Sequence, residues 1–93
     1  MDFGADINLS VTKDNLHHQE KLFDAIKMYN KAIQLDKISF PSEYSNLALL
    51  YAKVNFFDYA IFCMKQYLML VPEAEDARGA QDKIYTWEGL IGN

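Results

Sequence analysis

Few side chains of this sequence could do chemistry, and they are scattered. His17 and His18 are adjacent, and Glu20 follows His17 after about one helical turn. Imidazole and carboxylate groups bind zinc, but a closed site takes four ligands and no cysteine stands near this group. We therefore interpret these three residues as solvated helix residues, and we predict no metal site and no cofactor.

The single cysteine, Cys63, is the second candidate, because a thiolate can act as a nucleophile. Its neighbours in the sequence, Ile61, Phe62 and Met64, are apolar, whereas a nucleophilic cysteine needs a histidine or a cation close by. A buried and inert thiol is the simpler interpretation. A single cysteine also excludes an internal disulfide, which fits a reducing compartment.

The remaining polar residues do not form a catalytic pattern. The carboxylates are scattered over polar faces and first turns of predicted helices, and Gly89 and Gly92 do not form a phosphate-binding loop. We therefore predict that the protein is not an enzyme. The net charge is −4 without a basic block, which argues against nucleic acid and membrane surfaces as partners, since both attract clustered lysine and arginine.

Length and composition indicate a single folded domain. The chain has 93 residues, of which 51% are hydrophobic and 24% charged, and its two prolines and four glycines leave room for long elements. The longest strongly apolar run, residues 47–52, is too short to cross a bilayer, and the N-terminus carries acids where a signal peptide has basic residues. We expect a cytoplasmic protein, or a fragment of a longer exported one.

Apolar residues recur at steps of three and four from residue 13 onward, which predicts an all-α fold. Pro41, Asn55 and Pro72 break the pattern. Residues 1–12 alternate apolar and polar side chains without a helical period, and we interpret them as an irregular arm before a helical domain at 13–93. The predicted helices cover about 13–36, 41–54, 56–69 and 73–89.

Two segments of the helical region align with each other at an offset of 35 residues. DAIKMYNKAIQLD (24–36) matches YAIFCMKQYLMLV (59–71), with Ala25 opposite Ala60. A repeat of this length predicts stacked helical hairpins, because each hairpin buries its apolar face on a neighbour.

Residues 41–74 carry the pattern of one well-formed repeat. The positions that define it hold Tyr44, Leu47, Ala48, Tyr51, Phe57, Ala60, Met64 and Pro72, and Asn55 stands at the usual turn glycine. On these residues the chain resembles the tetratricopeptide repeat family. Tyr67 departs from the pattern, because the family has a small residue there, and we expect it to crowd the contact between helices.

The rest of the chain resembles the family less closely. Residues 6–40 match in the second helix of a repeat but not in the first, which indicates a degraded, truncated or rearranged repeat. Residues 73–91 are similar to the capping helix that closes such arrays. The resemblance implies antiparallel helix-turn-helix hairpins stacked as a short right-handed tetratricopeptide-like superhelix, an alpha-alpha superhelix.

Tetratricopeptide domains bind peptides in a concave groove lined by the first helices of their repeats. The resemblance therefore implies an adaptor or scaffold module that holds a peptide or a partner helix. A subclass that clamps a peptide carboxylate needs lysine and arginine where this chain mostly lacks them, so we do not expect it here. The positions that correspond to the groove are Ser42, Ser45, Asn46, Leu49, Ala52 and Lys53.

Four aromatic residues crowd the start of the third predicted helix, in NFFDYAIF (55–62). Phe57 is expected in the core, which leaves Phe56, Tyr59 and Phe62 on an outer face. The arm could cover them, another chain could contact them, or they could stay exposed. The alternative function is therefore a self-associating structural unit, either a homodimer or a fragment of a longer array, that uses this outer face.

Overall fold

A computed structural model describes the backbone of residues 2–92 and the side chains of residues 17–92. This part of the chain is helical and contains no strand, so the predicted all-α fold is confirmed. α1 packs on α2, α2 on α3 and α3 on α4, a packing order that is compatible with a stack of helical hairpins. The helices are α1 (Asp2–Leu35), α2 (Ser42–Lys53), α3 (Phe57–Leu70) and α4 (Ala77–Gly92).

α1 is longer than the sequence pattern indicates. Its backbone is helical from Asp2, so one helix covers residues 2–12, which were predicted to belong to an irregular arm, and most of residues 6–40, where a full repeat would have two helices. Residues 2–35 contain no proline and a single glycine, Gly4, so no strong helix stop divides them. Whether the arm covers the outer face depends on side chains that lie outside the described residues.

Asp36 organises the turn between α1 and α2. Its Oδ1 accepts hydrogen bonds from the backbone N–H groups of Ser39 (3.0 Å) and Ile38 (3.1 Å). These bonds, that of Ser39 first, lower the pKa of the Asp36 carboxyl below its usual value. The hydroxyl of Tyr44 donates to the carbonyl of Lys37 at 3.0 Å, which ties the turn to α2.

Asn55 makes the break between α2 and α3, as the sequence predicts. Its φ is 65°, in the left-handed region that asparagine tolerates better than most residues. The N–H groups of Asn55 and Phe56 donate to the carbonyls of Ala52 (3.0 Å) and Tyr51 (2.9 Å). This is the Schellman pattern of hydrogen bonds, and it ends α2.

α4 begins at Ala77, later than the predicted residue 73. Residues 72–76 form turns in which the N–H groups of Ala74 and Ala77 donate to the carbonyls three residues earlier. The prediction that acidic residues occupy the first turn of this helix is therefore wrong, because the first turn of α4 contains none and the acidic residues precede it.

The core lies where α2, α3 and α4 meet, and α1 covers one side of it. Leu47 and Ile84 are 1% exposed, and Ile26 alone is buried among the described side chains of α1. α1 has one principal neighbour, α2, and most of residues 17–35 are exposed. The remaining buried side chains are Ala48, Val54, Ala60, Cys63, Met64, Tyr67, Ala80 and Trp87.

The two aligned segments are therefore buried unequally. Ala60 of α3 is fully buried, whereas Ala25, which aligns with it, is half-buried. Leu35, the last residue of α1, is 87% exposed. It stands nine residues after Ile26, about two and a half helical turns, and therefore points to the opposite side of the helix.

Candidate functional site

An apolar groove runs between α1 and α3 and has α2 as its floor. Its volume is about 770 Å³. We call it the outer groove, and its main apolar lining comprises Ile33 of α1, Tyr44, Leu47 and Tyr51 of α2, and Tyr59 and Phe62 of α3.

Four rings pack together at the end of the outer groove where α3 begins. Phe23 of α1 lies 5.8 Å from Phe56, and Tyr51 of α2 lies 5.2 Å from Tyr59, between ring centroids. Phe56 also lies 6.1 Å from Tyr59 and 6.3 Å from Tyr51. Such pairs contribute about 0.5–1.5 kcal/mol each beyond the burial of their area. Phe56 therefore has partners within the chain, and one of them, Phe23, is a residue that the sequence analysis did not single out.

The structure places the three aromatic residues of the predicted outer face as follows. Phe56 is 43% exposed, and Tyr59 and Phe62 are each 59% exposed. Phe56 belongs to the ring cluster, whereas Phe62 lies farther along the outer groove. Tyr59 and Phe62 thus share a concave surface with α1 and α2. Their interpretation as a contact site stays a prediction.

The residues predicted to bind a peptide lie on the opposite side of α2. We call this side the inner surface, and it contains four exposed residues, Ser42, Asn46, Leu49 and Lys53, and half-buried Ser45. Half-buried Ala52, the sixth predicted position, completes the set.

The inner surface is divided into separate depressions. One of about 350 Å³ lies between α1 and α2, and another of about 200 Å³ lies between α2 and α4. Asn46 and Leu49 line both of them. Ser42 lines a third, of about 570 Å³, beside Tyr67 and Pro72. The predicted residues therefore do not line one continuous groove, and their role in binding stays a prediction.

Comparison with protein-family models, with curated proteins and with solved structures finds no match for this chain. The functional interpretation therefore depends on the geometry of the chain itself. Among the described helices, none combines the length and the apolar character that a membrane crossing requires.

The candidate metal ligands of the sequence analysis lie on the surface of α1. His17 Nδ1 is 3.8 Å from Glu20 Oε1, and both side chains are at least 70% exposed. His18 is exposed as well. Within residues 17–92, no three histidine, cysteine, aspartate or glutamate side chains are grouped so that they could hold a metal ion.

Cys63 lies on the wall of the outer groove but is 6% exposed. Its predicted burial is confirmed. Desolvation by burial raises the pKa of the thiol to about 11, because a low-polarity environment disfavours the thiolate. The thiol is therefore protonated at neutral pH, and a protonated thiol is a poor nucleophile.

Proposed function

We propose that this protein is a non-catalytic protein-interaction module that binds a partner helix in the outer groove. The observation that carries the proposal is the groove itself, an apolar concavity of about 770 Å³ in which Tyr59 and Phe62 are each 59% exposed. Aromatic residues are enriched at protein interfaces, and residues that fill pockets supply most of the binding energy.

The shape of the outer groove suits a helix. α1 and α3 form its two walls, and the residues of α3 that line it lie between Asp58 and Gln66, a span of nine residues or about 13 Å of helix. A partner helix of two to three turns would lie along this length with its apolar face on Tyr59 and Phe62. In helix-in-groove binding of this kind, apolar residues at helical spacing on the partner pack into the groove.

We also propose distant membership of the tetratricopeptide repeat family, which the residue pattern of 41–74 supports. The family binds peptides along the first helices of its repeats, and that surface corresponds to the inner surface here. The two depressions that Asn46 and Leu49 line, about 350 and 200 Å³, are each less than half the volume of the outer groove. The geometry therefore favours the outer groove.

The test compares proteins captured from a cell extract by the immobilised full chain and by three variants. Phe62→Glu puts a charge in the outer groove, and Leu49→Glu puts one on the inner surface. Tyr85→Glu is the matched control, because Tyr85 is an aromatic residue of α4, 63% exposed, that lies outside both surfaces.

We expect Phe62→Glu to lose the captured partner and the other two variants to retain it. Loss with Leu49→Glu alone would assign binding to the inner surface. Capture that none of the variants changes would contradict the proposal.

A further inference from the structure

We infer that the helix bound in the outer groove is α3 of a second copy of this chain, so that two copies dock reciprocally about a two-fold axis. The inference rests on the proposed function, because it names the occupant of the same groove. In a two-fold interface the same patch serves both partners, so the patch must be complementary to itself.

α3 carries both halves of such a patch. One side of the helix supplies Tyr59 and Gln66 to the wall of the outer groove. Phe62, which also lines the groove, and Met69 are 59% and 73% exposed, and we call these two residues the crest of α3. They are seven residues apart, about two turns, and therefore point in nearly the same direction. An apolar crest beside an apolar groove lets each copy insert its crest into the groove of the other.

The two-fold axis determines the direction of the docked helix. α1 runs antiparallel to α2, since Asn30 donates to the hydroxyl of Tyr51 at one end of the groove and Lys37 accepts from Tyr44 at the other. α3 is also antiparallel to α2, so both walls of the groove run in the same direction. A two-fold axis across the groove makes the two α3 helices antiparallel. The N-terminus of the incoming α3 then lies at the Lys37 end.

The charges at the two ends of the groove match this direction. Asp58 lines the end where α3 begins and Lys37 lines the other, and both are exposed. Within the described residues, neither takes part in an ion pair. Antiparallel docking brings Asp58 of each copy to Lys37 of the other, which forms two opposite-charge pairs at the rim. Parallel docking would place the two Asp58 carboxylates together, which like charges disfavour.

The interface is small, with about a dozen residues of each copy in the groove and on the crest. A standard interface uses roughly 20–30 residues on each side. We therefore expect a dimer that forms at micromolar concentrations and dissociates on dilution.

The test is sedimentation equilibrium of the full chain over a series of concentrations. The mass should rise from 10.7 kDa toward twice that value. Lys37→Glu and Asp58→Lys should each weaken dimerisation about tenfold, because two attractive rim pairs per dimer become repulsive. Phe62→Glu should abolish the dimer, and Tyr85→Glu should leave it unchanged.

An equimolar mixture of Lys37→Glu and Asp58→Lys provides the decisive measurement. In the mixed dimer the introduced acid faces the introduced base, and the native Asp58 of one chain faces the native Lys37 of the other. Dimerisation of the mixture should therefore return to the strength of the original protein. Recovery would also show that both single variants fold.

A monomer at every concentration would overturn the inference, and so would a mixture that stays as weak as its components. A dimer that Phe62→Glu does not weaken would overturn it as well. The proposed function is tested separately, because the capture experiment detects any other protein that occupies the outer groove. A monomer that captures a partner through Phe62 would keep the function and replace the occupant.

Discussion

The hydroxyl of Tyr67 donates a hydrogen bond to Oδ1 of Asp76 at 2.6 Å, which joins the end of α3 to the turn before α4. Tyr67 is buried, at 8% exposed. The hydrogen bond, then burial and then the charge of Asp76 raise the pKa of Tyr67 above its usual value. A buried side chain on α3 thus fixes the connection that leads into α4.

We expect Tyr67→Phe to lower the free energy of unfolding by about 1 kcal/mol, since it removes the hydroxyl and keeps the ring. The raised pKa favours the protonated hydroxyl in the folded state. Its contribution is therefore fully present below the unfolded pKa of about 10 and is lost as the pH rises through the folded pKa. Urea unfolding at neutral and alkaline pH measures both effects, and Tyr85→Phe, at an exposed site, is the control. Equal stability of Tyr67→Phe and the original protein would contradict the role of this hydrogen bond.

Leu47→Ala should be among the most damaging substitutions in the chain. Leu47 is 1% exposed at the centre of the core, and truncation of such a leucine costs about 2–5 kcal/mol. Leu49→Ala changes the same residue type on the same helix at a site that is 38% exposed, and we expect it to cost much less. Fluorescence of Trp87, which is 7% exposed, reports the unfolding of both variants. Similar losses of stability in the two variants would show that Leu47 does not lie at the centre of the core.

The left-handed backbone at Asn55 predicts different losses of stability for two small replacement residues. Asn55→Ala should destabilise the protein by about 1–2 kcal/mol, because a side chain without a local hydrogen-bonding group disfavours φ of 65°. Asn55→Gly should retain most of the stability, because glycine adopts positive φ without steric cost. Thermal unfolding followed by circular dichroism distinguishes the two. A glycine variant as unstable as the alanine variant would contradict this explanation.

Cys63 should react slowly with thiol reagents in the folded protein. Its pKa is raised to about 11, so little thiolate is present at about pH 8, and its burial restricts access. In denaturant the same thiol should react quickly, because its pKa returns to about 8.5. A colorimetric disulfide reagent measures both rates. Rapid, stoichiometric reaction of the folded protein would mean that the outer groove exposes the sulfur.

The contact between Phe23 and Phe56 should be measurable as a coupling free energy. A double-mutant cycle of Phe23→Ala and Phe56→Ala should give about 0.5–1.5 kcal/mol, because the ring centroids are 5.8 Å apart. A cycle that pairs Phe23→Ala with Tyr85→Ala on α4 should be additive. Additivity in the first cycle would show that α1 and the start of α3 do not stabilise each other through these rings.

Helix boundaries with strong local causes could be predicted from the sequence. α2 and α3 begin and end within one residue of the prediction, since Pro41 and Asn55 act through their own backbone preferences. The start of α4 could not be predicted in the same way. α4 follows turns that are held by the hydrogen bond from Tyr67 to Asp76, which lies nine residues later in the chain. A contact between these two residues cannot be predicted from helical periodicity.

The apolar side of the candidate site was predictable, whereas the outer groove was not. Helical spacing places Tyr59 and Phe62 on the outer side of α3, and their exposure follows. The opposite wall belongs to α1, and its position depends on how α1 packs against α2. Phe23 was missed because it flanks the apolar stripe of α1 beside Leu22. Its aromatic side chain at the edge of the stripe was the one sign in the sequence that Phe23 could contact another helix.

The pairing of each helix with its neighbour in the chain has a consequence for folding speed. The principal contacts join α1 to α2, α2 to α3 and α3 to α4, so each forms across a short loop. Domains dominated by contacts between nearby residues fold in microseconds to milliseconds, because little chain entropy is lost before contacts form. In such arrays folding can also start in any hairpin and spread to its neighbours. We therefore expect the central α2–α3 hairpin to serve as one starting point, with α1 and α4 joining it from opposite sides.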